Sequence, residues 1–245
     1  MTGLRPGRAV LGLLLVAGTA LQAQQPAAPR ELAIKYMRDS EEYAALARQV
    51  YRTAGEAVTR TAPALARQAW AVILDVDETA LDNSTYQLER SAYGLPFDPG
   101  SWNAWVRRRE AGPVPGAAAF VATVRQAGGH VAWITNRDAV TRDATLENLQ
   151  SVKLWADDDR LCPQNDPQHT KRARRAEVAS GRGTCAWSGV PMRVLAFIGD
   201  QMTDFPESDE RLPDTGTDAA FGRTCFLLPN SMYGAWTTKV TRVVP

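Results

Sequence analysis

The pattern of apolar and polar residues predicts a helical segment followed by strands that alternate with helices. Residues 28–67 carry apolar side chains at helical spacing, with no breaker before Gly55 and Pro63, which predicts one or two helices. The run "AWAVILDV" is almost continuously apolar, as expected of a strand buried on both faces of a parallel sheet. Further strands are predicted in "HVAWITNR", "MRVLAFIGD" and "TCFLLPN", and further helices in "PGAAAFVATVRQAGG" and "DAVTRDATLENLQSV".

This alternation predicts an α/β fold, in which helices cover both faces of a mostly parallel sheet. Residues 80–115 interrupt the alternation with a stretch rich in aromatic side chains. We predict that this stretch is an irregular insertion over the sheet edge, close to the functional site.

Polar side chains follow three of the predicted strands. The residues concerned are Asp75 and Asp77, Thr135 and Asn136, and Asp200 and Asp204. Because ligands of parallel α/β sheets bind beyond the carboxyl ends of the strands, these side chains are expected to meet at one edge. Several carboxylates at one edge repel each other unless a cation or a proton lies between them. The oxygen-only donor set favours Mg²⁺ over zinc.

Composition and charge narrow the range of functions. The chain has 245 residues, 44% of them hydrophobic, which suits one sizeable domain. The 28 Lys and Arg residues nearly balance the 27 Asp and Glu residues, and the formal net charge is +1. A chain with so little net charge has no general attraction for a nucleic acid polymer or an anionic membrane surface.

The N-terminal residues have the layout of a secretory signal peptide. Arg5 and Arg8 precede an apolar run, and small Ala23 occupies a plausible cleavage position. The run is too short for an ordinary membrane-spanning helix, and residues 1–23 contain no cysteine for lipid attachment. We therefore predict a signal peptide at 1–23 and a mature domain at 24–245, exported to a periplasm or beyond, without a stable membrane anchor.

The cysteines leave one question open. Cys162 and Cys185 flank the segment that contains "KRARRAEV", and an oxidising compartment would allow them to pair. Cys225 lies in a predicted buried strand, where a free cysteine behaves as a small hydrophobic residue. Whether Cys162 and Cys185 form a disulfide cannot be decided from their spacing.

Two motifs resemble a known family. "ILDVDETALDNSTY", with its D-x-D-x-T pattern, and "FIGDQMTDF" are similar to the paired signatures of the class C bacterial acid phosphatases. These enzymes form subfamily IIIB of the haloacid dehalogenase (HAD) superfamily and are related to plant vegetative storage proteins. The segments "SEEYAAL", "FDPGSWNAWV", "PGAAAF", "ITNR", "ATLENLQSV" and "KRARRAEV" also resemble that family. The resemblance covers residues 24–245 and implies a HAD-type, Rossmann-like sheet.

The resemblance also implies a mechanism. Asp75 would attack the phosphorus and form an aspartyl-phosphate, while Asp77 would act as general acid and base. Thr135 would hydrogen-bond a phosphoryl oxygen, helped by neighbouring backbone N–H groups. Lys171 would neutralise charge in the transition state. The implied Mg²⁺ site consists of Asp75, Asp77 through its main-chain oxygen, Asp200 and Asp204; Asp204 would either hold a metal-bound water or support the direct ligands from behind.

Substrate contacts are expected from Asn136 and from three aromatic residues of the insertion, Tyr86, Trp102 and Trp105. Trp102 and Trp105 lie three residues apart, so they are equally consistent with a purely structural role. Asn83 begins an N-S-T sequon, which we interpret as polar turn sequence.

The assignment of Lys171 has competitors. Lys153 is the main one; Arg174 and Arg175 would bind phosphate with a different geometry, and "KRARRAEV" also fits a solvated basic helix face.

The expected function is hydrolysis of small phosphomonoesters, including nucleoside monophosphates. A non-enzymatic binding or storage protein and a phosphotransferase are the alternatives. The presence of Asp75 and Asp77 favours an enzyme. The sequence leaves the existence of a homo-oligomer open.

Overall fold

A five-stranded parallel sheet forms the centre of the computed structural model, which describes residues 29–67, 69–210 and 218–238. The strands are β1 (Trp70–Leu74), β2 (Leu81–Asp82), β3 (Gly112–Pro113), β4 (His130–Asp138), β5 (Arg160–Gln164), β6 (Arg193–Gly199) and β7 (Cys225–Leu227). The helices are α1 (Pro29–Asp39), α2 (Glu41–Thr61), α3 (Ser84–Ala92), α4 (Pro99–Arg108), α5 (Ala117–Gln126), α6 (Arg142–Ser151) and α7 (Lys171–Ser180). The predicted signal peptide at 1–23 lies outside the described residues.

The order of strands in the sheet is β5-β4-β1-β6-β7, and every neighbouring pair is parallel. Strand β1 therefore lies at the centre, with β4 and β6 on either side. All three carboxyl ends point to the same edge, which is the edge where the polar residues were expected to meet. The predicted α/β fold with a parallel sheet is confirmed.

The apolar run of β1 is buried on both faces of the sheet. Val72 and Leu74 belong to a core shared with α2 and α5, whereas Ala71 and Ile73 belong to a second core that includes Val178 of α7. Successive side chains of a strand point to opposite faces, so a strand between two layers needs apolar residues at every position. Because β1 is packed on both faces, its position is fixed, and so is the point at the sheet edge from which Asp75 extends.

The N-terminal segment forms two helices, as the pattern allowed. Ser40 separates them, and its hydroxyl oxygen accepts a hydrogen bond from the backbone N–H of Tyr43 at 3.0 Å, which caps α2. Helix α2 continues through Gly55 and ends before Pro63. Gly55 was expected as a breaker, but it is buried and faces Phe120 and Thr123 of α5, so packing outweighs its low helix propensity.

The insertion at 80–115 is not irregular, and that prediction is wrong. It contains α3 and α4, and its two ends pair as the antiparallel strands β2 and β3. Asp98 caps α4 by accepting the N–H of Ser101 at 2.7 Å, and Pro99 occupies the first turn. An N-cap residue followed by proline is a helix-start signal that the aromatic composition of this segment obscured.

Strand β5 was not predicted. It lies at one edge of the sheet and contains Pro163, which cannot donate a ladder hydrogen bond. Proline is tolerated there because one side of an edge strand has no partner. Among the described residues, no helix is long and apolar enough to cross a membrane.

Candidate active site

Three carboxylates meet at the carboxyl edge of the sheet. Asp75 directly follows β1, Asp200 directly follows β6, and Asp204 ends the 3-10 turn Met202–Asp204. All three residues are buried, and one carboxylate oxygen of each lies within 4.8 Å of the others. The structure thus brings together side chains that are more than 120 residues apart in the chain.

Lys171 bridges two of these carboxylates. Its ammonium nitrogen lies 2.5 Å from Asp75 Oδ1 and 2.5 Å from Asp204 Oδ1. Lys171 is the first residue of α7, and Thr170 caps the helix before it. Burial lowers the pKa of Lys171, but the carboxylates of Asp75 and Asp204 outweigh burial and raise the pKa above its ordinary value. The competing Lys153 is exposed after α6 and does not line the cavity described below.

The carboxylate cluster carries more negative charge than Lys171 balances. Burial raises the pKa of Asp75 well above its ordinary value, against the opposing effect of Lys171 and with further increases from Asp204 and Asp200. Burial, followed by the charge of Asp204, raises the pKa of Asp200 to about 6. These groups ionise together only when another positive charge is present. A buried set of oxygen donors with excess negative charge fits a hard divalent cation such as Mg²⁺.

The carboxylate of Asp77 is held by one of its two oxygens. Oδ1 accepts hydrogen bonds from Arg137 Nε at 2.9 Å and from Asn83 Nδ2 at 2.9 Å, and it forms an ion pair with Arg137. Oδ2 lies 3.4 Å from the hydroxyl of Thr135. The anchored Oδ1 fixes the carboxylate, and Asp77 lines the cavity described below.

Asn83 is itself oriented from the insertion. The indole N–H of Trp105 donates to Asn83 Oδ1 at 2.8 Å, and Trp105 is buried. Tyr86 is also buried, and its hydroxyl pairs with Ser101 at 3.0 Å. Neither Tyr86 nor Trp105 lines the cavity described below, and in this structure both contact other residues of the insertion; their contact with a substrate stays a prediction.

Thr135 lies where β4 leaves the ladder with β5. The register between these strands shifts between Ile134 and Asp138, which lifts residues 135–137 out of regular pairing. The backbone N–H of Arg137 donates to the hydroxyl oxygen of Thr135 at 3.1 Å. In this structure that N–H group is therefore occupied by the Thr135 hydroxyl. The hydroxyl of Thr135 itself donates to Asp77 Oδ2 at 3.4 Å.

A tight turn connects β1 to the insertion. Glu78 adopts a left-handed backbone conformation with φ 53°, and its Oε1 accepts the N–H of Asn83 at 2.9 Å. Thr79 places its hydroxyl 3.5 Å from Asp75 and 3.4 Å from Asp200. Glu78 thus stabilises the turn, and Thr79 connects the two carboxylates.

Glycine is required at the last position of β6. A Cβ atom at Gly199 would lie 2.3 Å from the side chain of Asp204. This close approach lets Asp204 Oδ2 accept the N–H of Gln201 at 2.8 Å while Oδ1 contacts Lys171. On the other carboxylate, Asn230 and Gln201 each donate to Asp200 Oδ2 at 2.7 Å. These two side-chain amides hold Asp200 Oδ2, and Oδ1 lies 3.4 Å from the hydroxyl of Thr79.

A cavity of about 540 Å³ opens above the cluster. Its lining includes Asp75, Asp77, Asn136, Lys171 and Asp200. Apolar and aromatic walls come from the insertion and from the segment after β7: Phe97, Trp102, Met232 and Tyr233. Arg30, Gln87 and Gln201 complete the lining. Of the three aromatic residues expected at the substrate, only Trp102 reaches this cavity.

Several lining and supporting residues were not identified from the sequence. Arg137 ends the quoted segment "ITNR", and Asn83 follows the D-x-D-x-T motif, so both were visible but carried no assigned role. Arg30, Met232 and Tyr233 come from the two ends of the described chain, and no local pattern distinguishes them. Arg174 and Arg175 are buried rather than solvated; Arg175 pairs with Glu210.

Comparisons with known proteins agree with this geometry. A family model described as HAD superfamily, subfamily IIIB (acid phosphatase), matches residues 17–236. Acid phosphatase 1 of Solanum lycopersicum is 29% identical over 168 residues, which cover 68% of this chain but only 59% of the tomato protein.

Among solved structures, the class C acid phosphatase from Bacillus anthracis has a TM-score of 0.70 and 26% identity, with 84% of this chain and 86% of that chain covered. A structure of the B. anthracis enzyme with tungstate bound has the same TM-score and coverage, with 27% identity. The predicted family is confirmed. The chain therefore belongs to the acid phosphatases that form subfamily IIIB of the HAD superfamily.

Proposed function

We propose that this protein is an exported, Mg²⁺-dependent acid phosphatase that hydrolyses phosphomonoesters, including nucleoside 5′-monophosphates, through an aspartyl-phosphate at Asp75. One observation carries the proposal. Asp75, Asp77 and Lys171 line the floor of a single cavity that is large enough for a small phosphate ester. Family membership supports the reaction class, and the tungstate bound to the B. anthracis relative is a tetrahedral oxyanion like phosphate.

The first step requires an ionised nucleophile. A carboxylate oxygen of Asp75 attacks the phosphorus, and the bond from phosphorus to the leaving-group oxygen breaks. Lys171 contacts Asp75 at 2.5 Å, so its ammonium lies close to the phosphoryl oxygens that gain charge. Asp75, Asp200 and the main-chain oxygen of Asp77, with Asp204 beside them, would hold Mg²⁺, which would supply the positive charge that keeps these carboxylates ionised.

Asp77 donates a proton in the first step and accepts one in the second. Its Oδ2 gives a proton to the leaving-group oxygen as the aspartyl-phosphate forms. It then takes a proton from the water that attacks the phosphorus, which releases phosphate and restores the Asp75 carboxylate. Because Arg137 and Asn83 hold Oδ1, the same oxygen is presented in both steps. Thr135 lies 3.4 Å from Oδ2 and is placed to donate to a phosphoryl oxygen.

The walls of the cavity favour a leaving group with a planar ring. Trp102 and Phe97 face the cavity from the insertion, with ring centroids 6.2 Å apart, and Tyr233 lines the cavity from the segment after β7. Aromatic side chains stack on nucleobases and on aryl groups without strong sequence or base preference. This arrangement supports nucleoside monophosphates and aryl phosphates as substrates, with Asn136 beside the phosphoryl group.

The experiment is phosphate release by the protein beginning at residue 24, with Mg²⁺ or EDTA. The substrates are p-nitrophenyl phosphate, a panel of nucleoside monophosphates, and glycerol phosphate, which has no ring. Metal-dependent release supports the proposal, and the absence of release from every substrate refutes it. A glycerol-containing arm detects phosphoryl transfer to an alcohol, which would identify a phosphotransferase.

Trp102→Ala separates the ring-binding role from the chemistry. The KM for the aryl and nucleoside substrates is expected to rise about 10-fold, whereas the kinetics on glycerol phosphate stay close to wild type. Trp155→Ala is the matched control, since Trp155 also packs partly buried against the same core but does not line the cavity. An equal effect of Trp102→Ala on all substrates would contradict ring stacking.

Export is supported by the pattern of residues 1–23. N-terminal sequencing of the protein recovered outside the cytoplasm is expected to begin at Gln24. Recovery of the intact chain in the cytoplasm alone would refute export.

A further inference from the structure

A second group of potential metal ligands lies around α7, apart from the aspartate cluster. His169 precedes the capping residue Thr170, Glu177 lies in the last part of the helix, and Cys185 follows the helix. One ligand atom of each of these three residues lies within 4.8 Å of the others. The thiol of Cys162 on β5 contacts the thiol of Cys185. Three side chains with different ligand chemistry therefore converge, and the thiol of Cys162 lies beside one of them, Cys185.

These side chains are largely removed from solvent. Cys162 and Cys185 are 2% and 0% exposed, and the side chain of His169 is 13% exposed. His169 Nε2 lies 3.0 Å from Glu177 Oε1. Its other ring nitrogen, Nδ1, is buried without a hydrogen-bond partner among the described residues. A buried ring nitrogen without a partner costs free energy, and this nitrogen is a donor suited to a metal.

A hydrogen bond and a glycine turn hold the backbone around this group of side chains. Glu177 Oε2 accepts the N–H of Cys185 at 2.9 Å, and Gly183, with φ 105°, lets the chain approach the Glu177 side chain. A Cβ atom at position 183 would lie 2.3 Å from Glu177 Cδ. The turn after α7 is thus shaped around this carboxylate.

The charges of the group balance when a divalent cation is bound. Two thiolates and one carboxylate carry three negative charges. A bound divalent cation leaves a net charge of −1. Arg174 supplies the remaining positive charge, since it is fully buried and donates to the carbonyl oxygen of Cys162 at 3.0 Å. Burial, followed by contact with Cys185, raises the pKa of the Cys162 thiol, so the metal-free thiol is protonated. Metal binding releases the thiol protons to solvent.

We propose that Cys162, His169, Glu177 and Cys185 form a tetrahedral site for a soft divalent cation of the zinc class. Thiolate and imidazole ligands select such a cation over Mg²⁺, which the oxygen-only aspartate cluster suits. Ligand atoms in a tetrahedral zinc site lie roughly 3.3–3.8 Å apart, and those of His169, Glu177 and Cys185 lie within 4.8 Å of one another, so a small contraction brings them into range. The partly exposed His169 and Glu177 have room for that shift.

The site would have a structural role near the catalytic lysine. It joins β5, the residue before the cap of α7 and the turn after α7. Lys171 is the first residue of that helix, so the bound cation fixes the position from which its ammonium reaches Asp75. The proposal is independent of the substrate and does not rest on the proposed function.

The test is a cobalt titration of reduced, metal-free protein in excess Mg²⁺, which occupies the oxygen-only cluster. Tetrahedral Co²⁺ with thiolate ligands gives a charge-transfer band in the near ultraviolet and intense visible bands. One equivalent of Co²⁺ is expected to produce these bands, and Zn²⁺ is expected to remove them by displacement. Cys185→Ser is expected to weaken Co²⁺ binding at least about 100-fold.

His169→Ala is the second variant, because its side chain is partly exposed and its removal leaves the core intact. Cys225→Ser is the matched control: Cys225 is equally buried but lies on β7, outside the group, and the bands are expected to persist. The absence of bands in the wild type would overturn the proposal, as would their persistence in both Cys185→Ser and His169→Ala. A disulfide between Cys162 and Cys185 in the protein as isolated would overturn it equally.

Discussion

Replacement of Trp105 by phenylalanine tests whether the insertion orients Asp77, the proposed general acid. The indole N–H of Trp105 donates to Asn83 Oδ1 at 2.8 Å, and Asn83 Nδ2 donates to Asp77 Oδ1 at 2.9 Å. Phenylalanine retains most of the buried ring and removes the donor. Asn83 Oδ1 then keeps only the longer contact to Arg137, at 3.3 Å. The amide of Asn83 is then held less firmly, and the anchor of Asp77 is weakened.

The expected magnitudes follow from the burial of this hydrogen bond. A buried acceptor that loses its partner costs about 1–3 kcal/mol, and the remaining contact to Arg137 places Trp105→Phe near the lower limit. We therefore expect the free energy of unfolding to fall by about 1 kcal/mol. If the weaker orientation of Asp77 raises the activation free energy by about 1–2 kcal/mol, kcat falls about 5–30-fold. KM is expected to stay close to wild type, because Trp105 does not line the cavity.

The assay compares Trp105→Phe with Trp187→Phe in steady-state kinetics and in thermal unfolding. Trp187 is also buried, and its indole N–H donates to the carbonyl oxygen of Asp158 at 2.7 Å, away from the catalytic carboxylates. Both variants are expected to lose similar stability, and only Trp105→Phe is expected to lose kcat. Equal kcat values in the two variants would refute the orienting role of Trp105.

Three further predictions concern the charged cluster. Lys171→Met is expected to lower kcat by about 100-fold or more, because it removes the ammonium between Asp75 and Asp204. Lys171→Arg is not expected to restore the rate, since the buried position fits a compact ammonium. Phosphate-release kinetics of correctly folded variants test both expectations. Asp200→Asn is expected to weaken Mg²⁺ binding in calorimetry much more than it lowers the melting temperature. The pKa of Asp200, raised to about 6, means that the metal-free folded state holds this proton more tightly than the unfolded state does. That stabilisation is present at low pH and is lost as pH rises through about 6, so EDTA is expected to lower the melting temperature more at pH 7.5 than at pH 5; an equal decrease at both pH values would contradict the assignment.

The sequence predicted those parts of the site that depend on a local pattern combined with the topology of the sheet. Each of β1 and β6 is a short apolar run that ends in an aspartate, and parallel strands bring such ends to one edge. Asp75 and Asp200 could therefore be placed together before any contact was known. Lys171 depended on the family resemblance, because nothing in a basic helix distinguishes a buried lysine from a solvated one.

The supporting contacts could not be predicted, because they depend on packing between distant elements. Trp105 and Tyr86 resemble substrate-binding aromatics in composition, but α4 turns Trp105 toward Asn83 and into the core. Arg174 fits a solvated helix face in sequence, yet α7 packs it against β4, where it donates to the carbonyl oxygen of Thr135. These roles follow from which face of a helix meets the sheet, and short-range periodicity did not determine that face.

The central claim is that Asp75 carries the phosphoryl group. The measurement is an acid quench of enzyme turning over a phosphomonoester, followed by mass spectrometry of the peptide that contains Asp75 and Asp77. The wild type is expected to show the phosphoryl group on Asp75, with more of it in Asp77→Asn and none, together with no turnover, in Asp75→Asn. A phosphoryl group on another residue, or turnover at the wild-type rate in Asp75→Asn, would contradict the account.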